Sequence, residues 1–284
     1  MPRAPRPAPA SFPLLVRAGD ARRMDEIPDR SVHLVVTSPP YPMIPQWDAV
    51  FRSLGAEGYG EMHSLLADVW RECHRVLVDG GLLAVVVGDA LRRDPGGFRL
   101  WANHATILER ATALGFVPLP YLLWKKPTNK PNAFLGSGFL PPNAYVTLDC
   151  EFILLFRRGR LRTYPPHDPE RYASRLARAE RDRWFSQVWA DVRGAPQGAD
   201  GRRTGAFPPA IPARLIRMFS VRGETVLDPF AGTGTTLWEA LRAGRRAIGY
   251  EIDPARVRAI LAEARRRGIT AAPSGAPRGR RSPR

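Results

Sequence analysis

Short apolar segments alternate with amphipathic helical segments along most of this chain, and this alternation limits the fold more than any other feature. Such an order is typical of a mostly parallel sheet that is covered by helices. The predicted strands are Leu14–Arg17, Val32–Val36, Leu82–Val87, Val117–Trp124, Glu151–Phe156, Thr225–Leu227 and Ala247–Tyr250. The predicted helices are Glu61–Leu77, Phe98–Ala113, Ala210–Phe219, Thr235–Ala243 and Pro254–Arg267. The sequence therefore predicts an α/β fold.

The length of 284 residues suits one α/β domain with a small insertion, and we expect this domain to span residues 13–271. Residues 1–12 are rich in proline and residues 272–284 are rich in Pro, Gly and Arg, so both are predicted to be disordered tails. Residues 157–203 combine Arg, Pro and Gly with scattered aromatic residues and show no clean strand pattern. They are predicted to form a basic insert.

The formal net charge of +16 favours a polyanionic partner such as nucleic acid. An arginine-rich genomic composition would give a similar balance, so charge alone leaves both explanations open. No apolar run reaches the ~18 residues that a membrane span requires, and the expected location is the cytoplasm. Cys73 and Cys150 lie far apart in the sequence, which argues against a metal site built on cysteine pairs.

A cofactor motif lies in the C-terminal half of the chain. The predicted strand Thr225–Leu227 runs directly into the segment DPFAGTGTT, residues 228–236, and a helix follows. Glycines at such a turn let the backbone approach a ligand closely. The next predicted strand ends at Glu251, whose carboxylate is suited to accept hydrogen bonds from both hydroxyls of a ribose. The alternative is a βαβ unit whose glycines only make a tight turn. The segment lacks the pattern of an ATP- or GTP-binding phosphate loop.

A second motif, TSPPY, follows the predicted strand Val32–Val36. The two prolines fix a rigid, extended turn, which would hold the Ser38 hydroxyl and neighbouring carbonyl groups towards one point. Tyr41 adds a flat aromatic surface. This arrangement suits a planar ring that carries an amino group, because acceptors bind the two N–H groups while the aromatic ring covers one face. Taken alone, the motif is also compatible with an ordinary proline turn.

Together these motifs resemble the beta class of DNA amino-methyltransferases, in which an [SND]PPY motif precedes the cofactor motif. The resemblance extends from Gly19 to about Arg267. It implies the Rossmann-like fold of S-adenosylmethionine-dependent methyltransferases, with circularly permuted motif order. The implied sheet has seven strands, is mostly parallel and contains one reversed edge strand.

The resemblance further implies S-adenosylmethionine as cofactor and double-stranded DNA as substrate. The residues it assigns to catalysis are Ser38, Pro39, Pro40 and Tyr41. The residues predicted to bind the cofactor are Asp20, Thr37, Phe207, Pro208, Asp228, Pro229, Phe230, Ala231, Gly232, Thr233, Gly234, Thr235, Thr236, Glu251 and Ile252. Among them, the segments around Asp20 and Phe207 resemble those that reach the adenine and methionine ends of the cofactor. No metal is expected.

Basic residues supply the predicted DNA contacts, because cationic side chains neutralise backbone phosphates. These residues are Lys125, Lys126, Arg157, Arg158, Arg160 and Arg162. A homodimer and a cognate restriction endonuclease are further partners that the resemblance leaves open.

The target atom predicted from the resemblance is the exocyclic N4 of a flipped cytosine, since the serine variant of the motif is usual in cytosine-N4 enzymes. An adenine-N6 enzyme of the same family is the nearest alternative. A methyltransferase for RNA or a protein amide, and a DNA-binding protein on an inactive scaffold, are more distant ones. A cytosine-C5 enzyme would need a Pro-Cys nucleophile, and neither Cys73 nor Cys150 follows a proline.

Overall fold

The computed structural model describes residues 13–94, 97–126, 146–194 and 207–272. Its strands are β1 (Leu14–Ala18), β2 (Val32–Thr37), β3 (Leu77–Val87), β4 (Ala90–Asp94), β5 (Gly97–Trp101), β6 (Phe116–Lys125), β7 (Cys150–Arg158), β8 (Val188–Trp189), β9 (Thr225–Asp228) and β10 (Arg246–Glu251). Within these residues, eight strands form one sheet in the order β1-β10-β9-β2-β3-β7-β6-β8, and β4 pairs with β5 in a separate hairpin. The predicted α/β fold is confirmed.

Strand direction differs from the expectation in one respect. Strands β1, β10, β9, β2 and β3 are mutually parallel, β7 is antiparallel to both β3 and β6, and β8 is parallel to β6. The reversed strand, β7, therefore has a neighbour on each side, and the prediction that it is an edge strand is wrong. The eighth strand, β8, has two residues and is too short to give a recognisable sequence pattern.

The helices are α1 (Asp48–Ser53), α2 (Tyr59–Val76), α3 (Asn103–Ala113), α4 (Pro169–Ala173), α5 (Arg178–Trp184), α6 (Ala210–Phe219), α7 (Thr235–Arg242) and α8 (Pro254–Arg266). Helices α2, α6, α7 and α8 match predicted helices closely, whereas the predicted helix Phe98–Ala113 is wrong at its start. Residues 97–101 form β5 instead, because they find backbone partners in β4. The predicted insert contains α4, α5 and β8, and its first two residues belong to β7.

The sheet is covered on both faces, which explains why its inner strands read as continuous apolar runs. Neighbouring residues of β2 illustrate this: Leu34 belongs to the core beneath α6, α7 and α8, whereas Val35 belongs to the core beneath α2 and α3. Both side chains are fully buried. Burial on both faces holds the strand ends in fixed positions at the sheet edge.

The predicted tails fall almost entirely outside the described residues, namely 1–12 and 273–284. The backbone N–H of Ala272 donates to the carbonyl of Leu14 at 2.8 Å, so Ala272 also contacts the sheet, one residue beyond the predicted boundary. Within the described residues, no helix is long and apolar enough to cross a membrane.

Gly249 of β10 allows α7 to pack closely on the sheet. A Cβ atom at this position would lie 2.7 Å from Leu237 Cδ1 and 3.1 Å from Ala231 Cβ. Both of these residues are buried, so neither can move away without disturbing the core. Since Ala231 also belongs to the DPFAGTGTT turn, this contact fixes the turn against β10.

Gly249→Ala should therefore lower the free energy of unfolding by about 1–3 kcal/mol, as expected when a packed core is overfilled. Gly60→Ala is the matched control, because no atom lies within 4 Å of its Cβ position and alanine is the better helix former in α2. Chemical denaturation of both variants would test this. Equal stability of Gly249→Ala and the unmodified protein would contradict the packing argument.

Candidate active site

The site lies at the side of the sheet that is formed by the C-terminal ends of the parallel strands. This side is called the cavity edge, and the side formed by their N-terminal ends is called the far edge. Because β2, β9 and β10 are parallel neighbours of one array, their last residues, Thr37, Asp228 and Glu251, lie at the same edge. A cavity of about 390 Å³ opens there. Its size falls within the range of small-molecule sites, ~300–1,000 Å³.

Most of the residues predicted to bind the cofactor line this cavity. They are Asp20, Phe207, Asp228, Pro229, Phe230, Ala231, Gly232, Thr233, Thr235, Thr236, Glu251 and Ile252. Of the predicted catalytic residues, Ser38 and Pro40 also line it. The two motifs therefore border one cavity, although Thr37 and Asp228 are 191 residues apart in the sequence.

A buried hydrogen bond joins the two motifs. The Thr37 hydroxyl donates to Asp228 Oδ1 at 2.6 Å, and the backbone N–H of Phe230 donates to the same oxygen at 3.0 Å. Burial raises the pKa of Asp228 to about 6, even though these hydrogen bonds work in the opposite direction. Thr37 does not line the cavity, so it acts by holding the Asp228 carboxylate.

The glycine turn is closed by Glu251. Gly232 and Gly234 have φ values of 55° and 84°, in the left-handed region that favours glycine. The Gly232 N–H donates to Glu251 Oε2 at 2.8 Å, and the Asp253 N–H donates to Oε1 at 3.0 Å. A carboxylate offers about four lone-pair sites, so Glu251 retains acceptor capacity while it holds the turn.

Two other predicted cofactor residues lie outside the cavity lining, Pro208 and Gly234. Gly234 is the N-cap of α7, and a Cβ atom there would lie 3.0 Å from Trp238 Nε1. Its role is to let the turn enter the helix. Pro208 is buried next to Phe207, at the start of the segment that leads into α6.

The side chains of the TSPPY motif form a hydrogen-bonded chain. The Ser38 hydroxyl donates to the Tyr41 oxygen at 3.0 Å, and the Tyr41 hydroxyl donates to Glu151 Oε2 at 3.2 Å. The Lys126 ammonium donates to the other oxygen of Glu151. Burial, together with the Glu151 charge, raises the pKa of Tyr41 well above its usual value, so the phenol keeps its proton. Pro39 is buried and does not line the cavity.

Sequence reasoning missed Glu151 as a site residue. It was predicted only as the start of a strand, and the reversal of β7 brings it to the same edge as Ser38. Lys126, which is predicted to contact DNA, is paired with Glu151, and its Nζ lies 4.8 Å from the centroid of the Trp124 ring. No local sequence signal marks this pairing, because it depends on strand order.

Asn103 was also missed, and it fixes the catalytic turn to the end of β3. Its side-chain N–H groups donate to the carbonyls of Pro42 and Gly88, both at 3.0 Å. Its oxygen accepts from His63 Nε2 at 3.1 Å. Burial lowers the pKa of His63 to about 4, so the imidazole is neutral at physiological pH. Asn103 is fully buried, but no local sequence pattern marks it, because its partners come from three separate segments of the chain.

An apolar wall completes the cavity. It comes from α1 and α2, and its members are Trp47, Val50, Phe51, Leu54, Leu65, Leu66 and Val69. The helical spacing of Leu65, Leu66 and Val69 could have indicated a buried face, but not that this face borders a ligand site. Arg22 also lines the cavity and binds Asp20, with a 2.8 Å hydrogen bond to Asp20 Oδ2.

The predicted DNA contacts are divided between two edges of the sheet. Lys125 and Lys126 lie at the cavity edge, where β6 ends. Strand β7 runs in the opposite direction, so Arg157 and Arg158 lie at the far edge, ~23 Å from Glu151 by strand rise. The structure therefore does not bring the predicted contacts together.

Ion pairs hold two of the distant arginines. Arg158 binds Asp79 at 2.9 Å, and Arg162 binds Glu224 at 2.6 Å. Arg160 is exposed and follows β7 at the same far edge. A role for these residues in DNA binding stays a prediction, but they are not neighbours of the cavity.

No group of three or more His, Cys, Asp or Glu residues suited to hold a metal ion occurs within the described ranges. Cys73 is fully buried, and burial strongly raises the pKa of its thiol.

Comparisons with known proteins agree with this geometry. The N6/N4 methyltransferase family model, described as DNA methylase, matches residues 32–263. The Type II methyltransferase M.MjaI of Methanocaldococcus jannaschii is 55% identical over 260 residues, which cover 83% of this chain and 86% of that protein. M.MthZI of Methanothermobacter thermautotrophicus is 41% identical over 249 residues, or 81% and 70% of the two chains.

Solved structures show the same fold. TTHA0409 of Thermus thermophilus, a candidate DNA modification methylase in complex with S-adenosyl-L-methionine, is 37% identical with a TM-score of 0.73, covering 90% of this chain and 98% of that one. The PvuII DNA methyltransferase, described as cytosine-N4-specific, has a TM-score of 0.64 at 18% identity and covers 88% and 87% of the two chains. The resemblance inferred from the two motifs is thus confirmed: this chain belongs to the N6/N4 DNA methylase family.

Proposed function

We propose that this protein transfers a methyl group from S-adenosylmethionine to the exocyclic N4 of a cytosine that is flipped out of double-stranded DNA. The hydrogen bond from Ser38 to Tyr41 carries this proposal. Because the hydroxyl hydrogen is directed to Tyr41, the Ser38 oxygen keeps its lone pairs for a donor in the cavity. An exocyclic amino group is such a donor. Serine at this motif position favours cytosine over adenine.

The cavity fits S-adenosylmethionine by its chemistry. The carboxylates of Asp20, Asp228 and Glu251 line it together with the apolar wall. Carboxylates suit the positive charges and ribose hydroxyls of this molecule, and the apolar wall suits its adenine ring. The family membership and the S-adenosyl-L-methionine complex of the similar protein TTHA0409 support the same cofactor.

Different residues bind the methyl donor and exclude water from the cavity. S-adenosylmethionine supplies a methyl group that is bonded to a positively charged sulfur. The sulfur is the leaving group and becomes part of a neutral thioether. Asp228 and Glu251 bind the donor, while Phe51 and Val69 of the apolar wall exclude water from one side of the cavity. The glycine turn lets the backbone approach the donor closely.

The target base must leave the helix to reach Ser38, because stacking hides its amino group inside a duplex. Flipping costs a few kcal/mol, which is offset by contacts in the pocket. Hydrogen bonds from the amino group to the Ser38 oxygen and a neighbouring carbonyl weaken conjugation with the ring, so the nitrogen lone pair becomes available. As the new nitrogen–carbon bond forms, the sulfur–carbon bond breaks, and the methylated nitrogen then releases one of its hydrogens to water as a proton. Positioning the two reacting atoms ~3–3.5 Å apart supplies most of the rate gain.

Glu151 acts as a positioning residue in this scheme. It accepts the Tyr41 proton in a hydrogen bond, which directs the Tyr41 lone pairs towards the Ser38 hydroxyl. Lys126 balances its charge. The chain Ser38–Tyr41–Glu151 therefore holds the serine in the orientation that an amino group requires. Tyr41 serves here through its hydroxyl.

The product identifies the target base. Duplex DNA methylated with labelled S-adenosylmethionine should, after digestion to nucleosides, contain the label in N4-methylcytosine. Chromatography with mass spectrometry separates this nucleoside from N6-methyladenine. Label in N6-methyladenine would contradict the choice of cytosine but not methyl transfer to an amino group. If RNA is supplied in a parallel reaction, label in the RNA and none in the DNA would contradict the choice of DNA.

Ser38→Ala should lower kcat by about 10²-fold or more, because it removes an oriented acceptor from the transition state. The affinity for S-adenosylmethionine should stay close to that of the unmodified protein. Ser64→Ala, an exposed serine of α2, is the control and should retain full activity. Equal losses of cofactor affinity and turnover in Ser38→Ala would show that the catalytic motif has been misplaced.

Cofactor affinity should depend on pH through Asp228. Burial raises the pKa of this carboxyl to about 6, so it is ionised at pH 7 and mostly neutral at pH 5. Because S-adenosylmethionine is cationic at sulfur and nitrogen, binding favours the ionised form and should weaken by about tenfold per pH unit well below that pKa.

Calorimetry between pH 5 and pH 7 measures this dependence. Asp228→Asn should bind the cofactor more weakly and with little change over this range, since the titrating group is gone. A pH dependence that persists unchanged in Asp228→Asn would contradict the assignment of Asp228 to the cationic part of the cofactor.

A further inference from the structure

A second cavity, the far-edge cavity, opens at the far edge of the sheet with a volume of about 690 Å³. One of its walls comes from the start of β3 and from residues 218–221, at the end of α6. The other wall comes from the basic insert, with residues of α4, of α5 and of the segment between them. The far-edge cavity shares no lining residue with the cavity that borders Ser38.

Polar contacts hold the two walls of the far-edge cavity together. Arg217 of α6 donates to both carboxylate oxygens of Glu180 in α5, at 2.5 and 2.7 Å. The backbone N–H of Arg222 donates to the Ser174 hydroxyl oxygen, just after α4, at 2.9 Å. The insert is therefore fixed against the rest of the domain, and the far-edge cavity is already formed without a ligand.

Positive charge is concentrated around this cavity. Six arginines line it, whereas no acidic residue of the described chain does: Arg162, Arg171, Arg175, Arg178, Arg181 and Arg217. Three carboxylates outside the lining pair with four of these arginines. The pairs are Arg162 with Glu224, Arg217 with Glu180, and both Arg178 and Arg181 with Asp182. Six cations and three carboxylates leave an excess of three positive charges.

Arg171 and Arg175 account for two of the excess charges. Both residues are exposed, and neither guanidinium group pairs with a carboxylate within the described part of the chain. The Asp168 carboxylate caps α4 by accepting the backbone N–H of Arg171 at 2.9 Å. Glu170 directly precedes Arg171 on α4, and side chains one residue apart on a helix do not face each other. These two arginines therefore remain available to an anionic ligand.

Tyr164 holds two of the cations close to each other. The guanidinium groups of Arg171 and Arg162 lie over its ring, 5.0 and 5.6 Å from the centroid. Both distances are within the range of cation–π contacts. The ring thus keeps Arg171 next to another arginine, although like charges repel. A multiply charged anion between them would relieve this repulsion.

We infer that the far-edge cavity binds a ligand with several phosphate groups, with Arg171 and Arg175 as direct contacts. The planar guanidinium group matches the geometry of a phosphate and forms charge-assisted hydrogen bonds with it. An excess of three positive charges around one cavity favours a polyanion over a singly charged ligand. The phosphates belong either to a free polyphosphate compound or to a nucleic-acid backbone at the far edge.

Calorimetry with inorganic tripolyphosphate as the probe tests this site. Arg171→Ala/Arg175→Ala should weaken binding by about tenfold or more, because it removes two charge-assisted contacts. Arg258→Ala/Arg265→Ala is the matched control and should bind like the unmodified protein. Both of its residues are exposed on α8 and line neither cavity. Arg171→Lys/Arg175→Lys should show intermediate affinity, since lysine keeps the charge without the planar group.

Duplex DNA distinguishes the two sources of phosphate. Each phosphate contact contributes about 0.9 to the slope of log affinity against log salt. If the ligand is a nucleic-acid backbone, Arg171→Ala/Arg175→Ala should flatten this slope by about 1.8, and tripolyphosphate should compete with DNA. If the ligand is a free polyphosphate compound, the same variant should keep the slope while it loses affinity for tripolyphosphate.

Equal affinity for tripolyphosphate in Arg171→Ala/Arg175→Ala and in Arg258→Ala/Arg265→Ala would overturn the inference, because binding would then follow net charge rather than this cavity. Absence of tripolyphosphate binding to the unmodified protein would overturn it as well. Thermal unfolding checks that all variants are folded. Neither binding measurement involves methyl transfer, so failure of the proposed function would leave this result unaffected.

Discussion

The pairing of β2 with β9 is the interaction on which the site depends. Each strand ends in one of the two motifs, and their parallel register places Leu34 beside Val226 and Val35 beside Leu227. Parallel neighbours end at the same edge, so the catalytic turn and the glycine turn emerge side by side. The buried hydrogen bond from Thr37 to Asp228 then joins them. Without this pairing, the catalytic turn and the glycine turn would not lie next to each other.

The burial that joins the motifs also sets their chemistry. A carboxylate at the Asp228 position loses hydration, and its raised pKa reflects that loss. A cationic ligand can compensate the buried negative charge, which has lost the water that would otherwise solvate it. The same principle applies to Tyr41, whose phenol stays protonated and can donate to Glu151.

The reversal of β7 divides the charges of the chain between two edges. It brings Glu151 to the cavity, where it binds Tyr41 and Lys126. It also carries Arg157 and Arg158 to the other end of the strand, away from the cavity. One change of strand direction therefore decides which basic residues neighbour the site.

The sequence by itself determined the α/β class, the family and the two motifs, because alternating apolar periodicity, the glycine turn and the TSPPY segment are local patterns. Most of the cofactor residues it named line the cavity. Only the tertiary structure decided the roles of Glu151 and Asn103 and the pairing of β4 with β5, and it separated Arg157 from Lys126. These features depend on strand order and direction, which are set by long-range packing and backbone pairing that no local pattern of residues records.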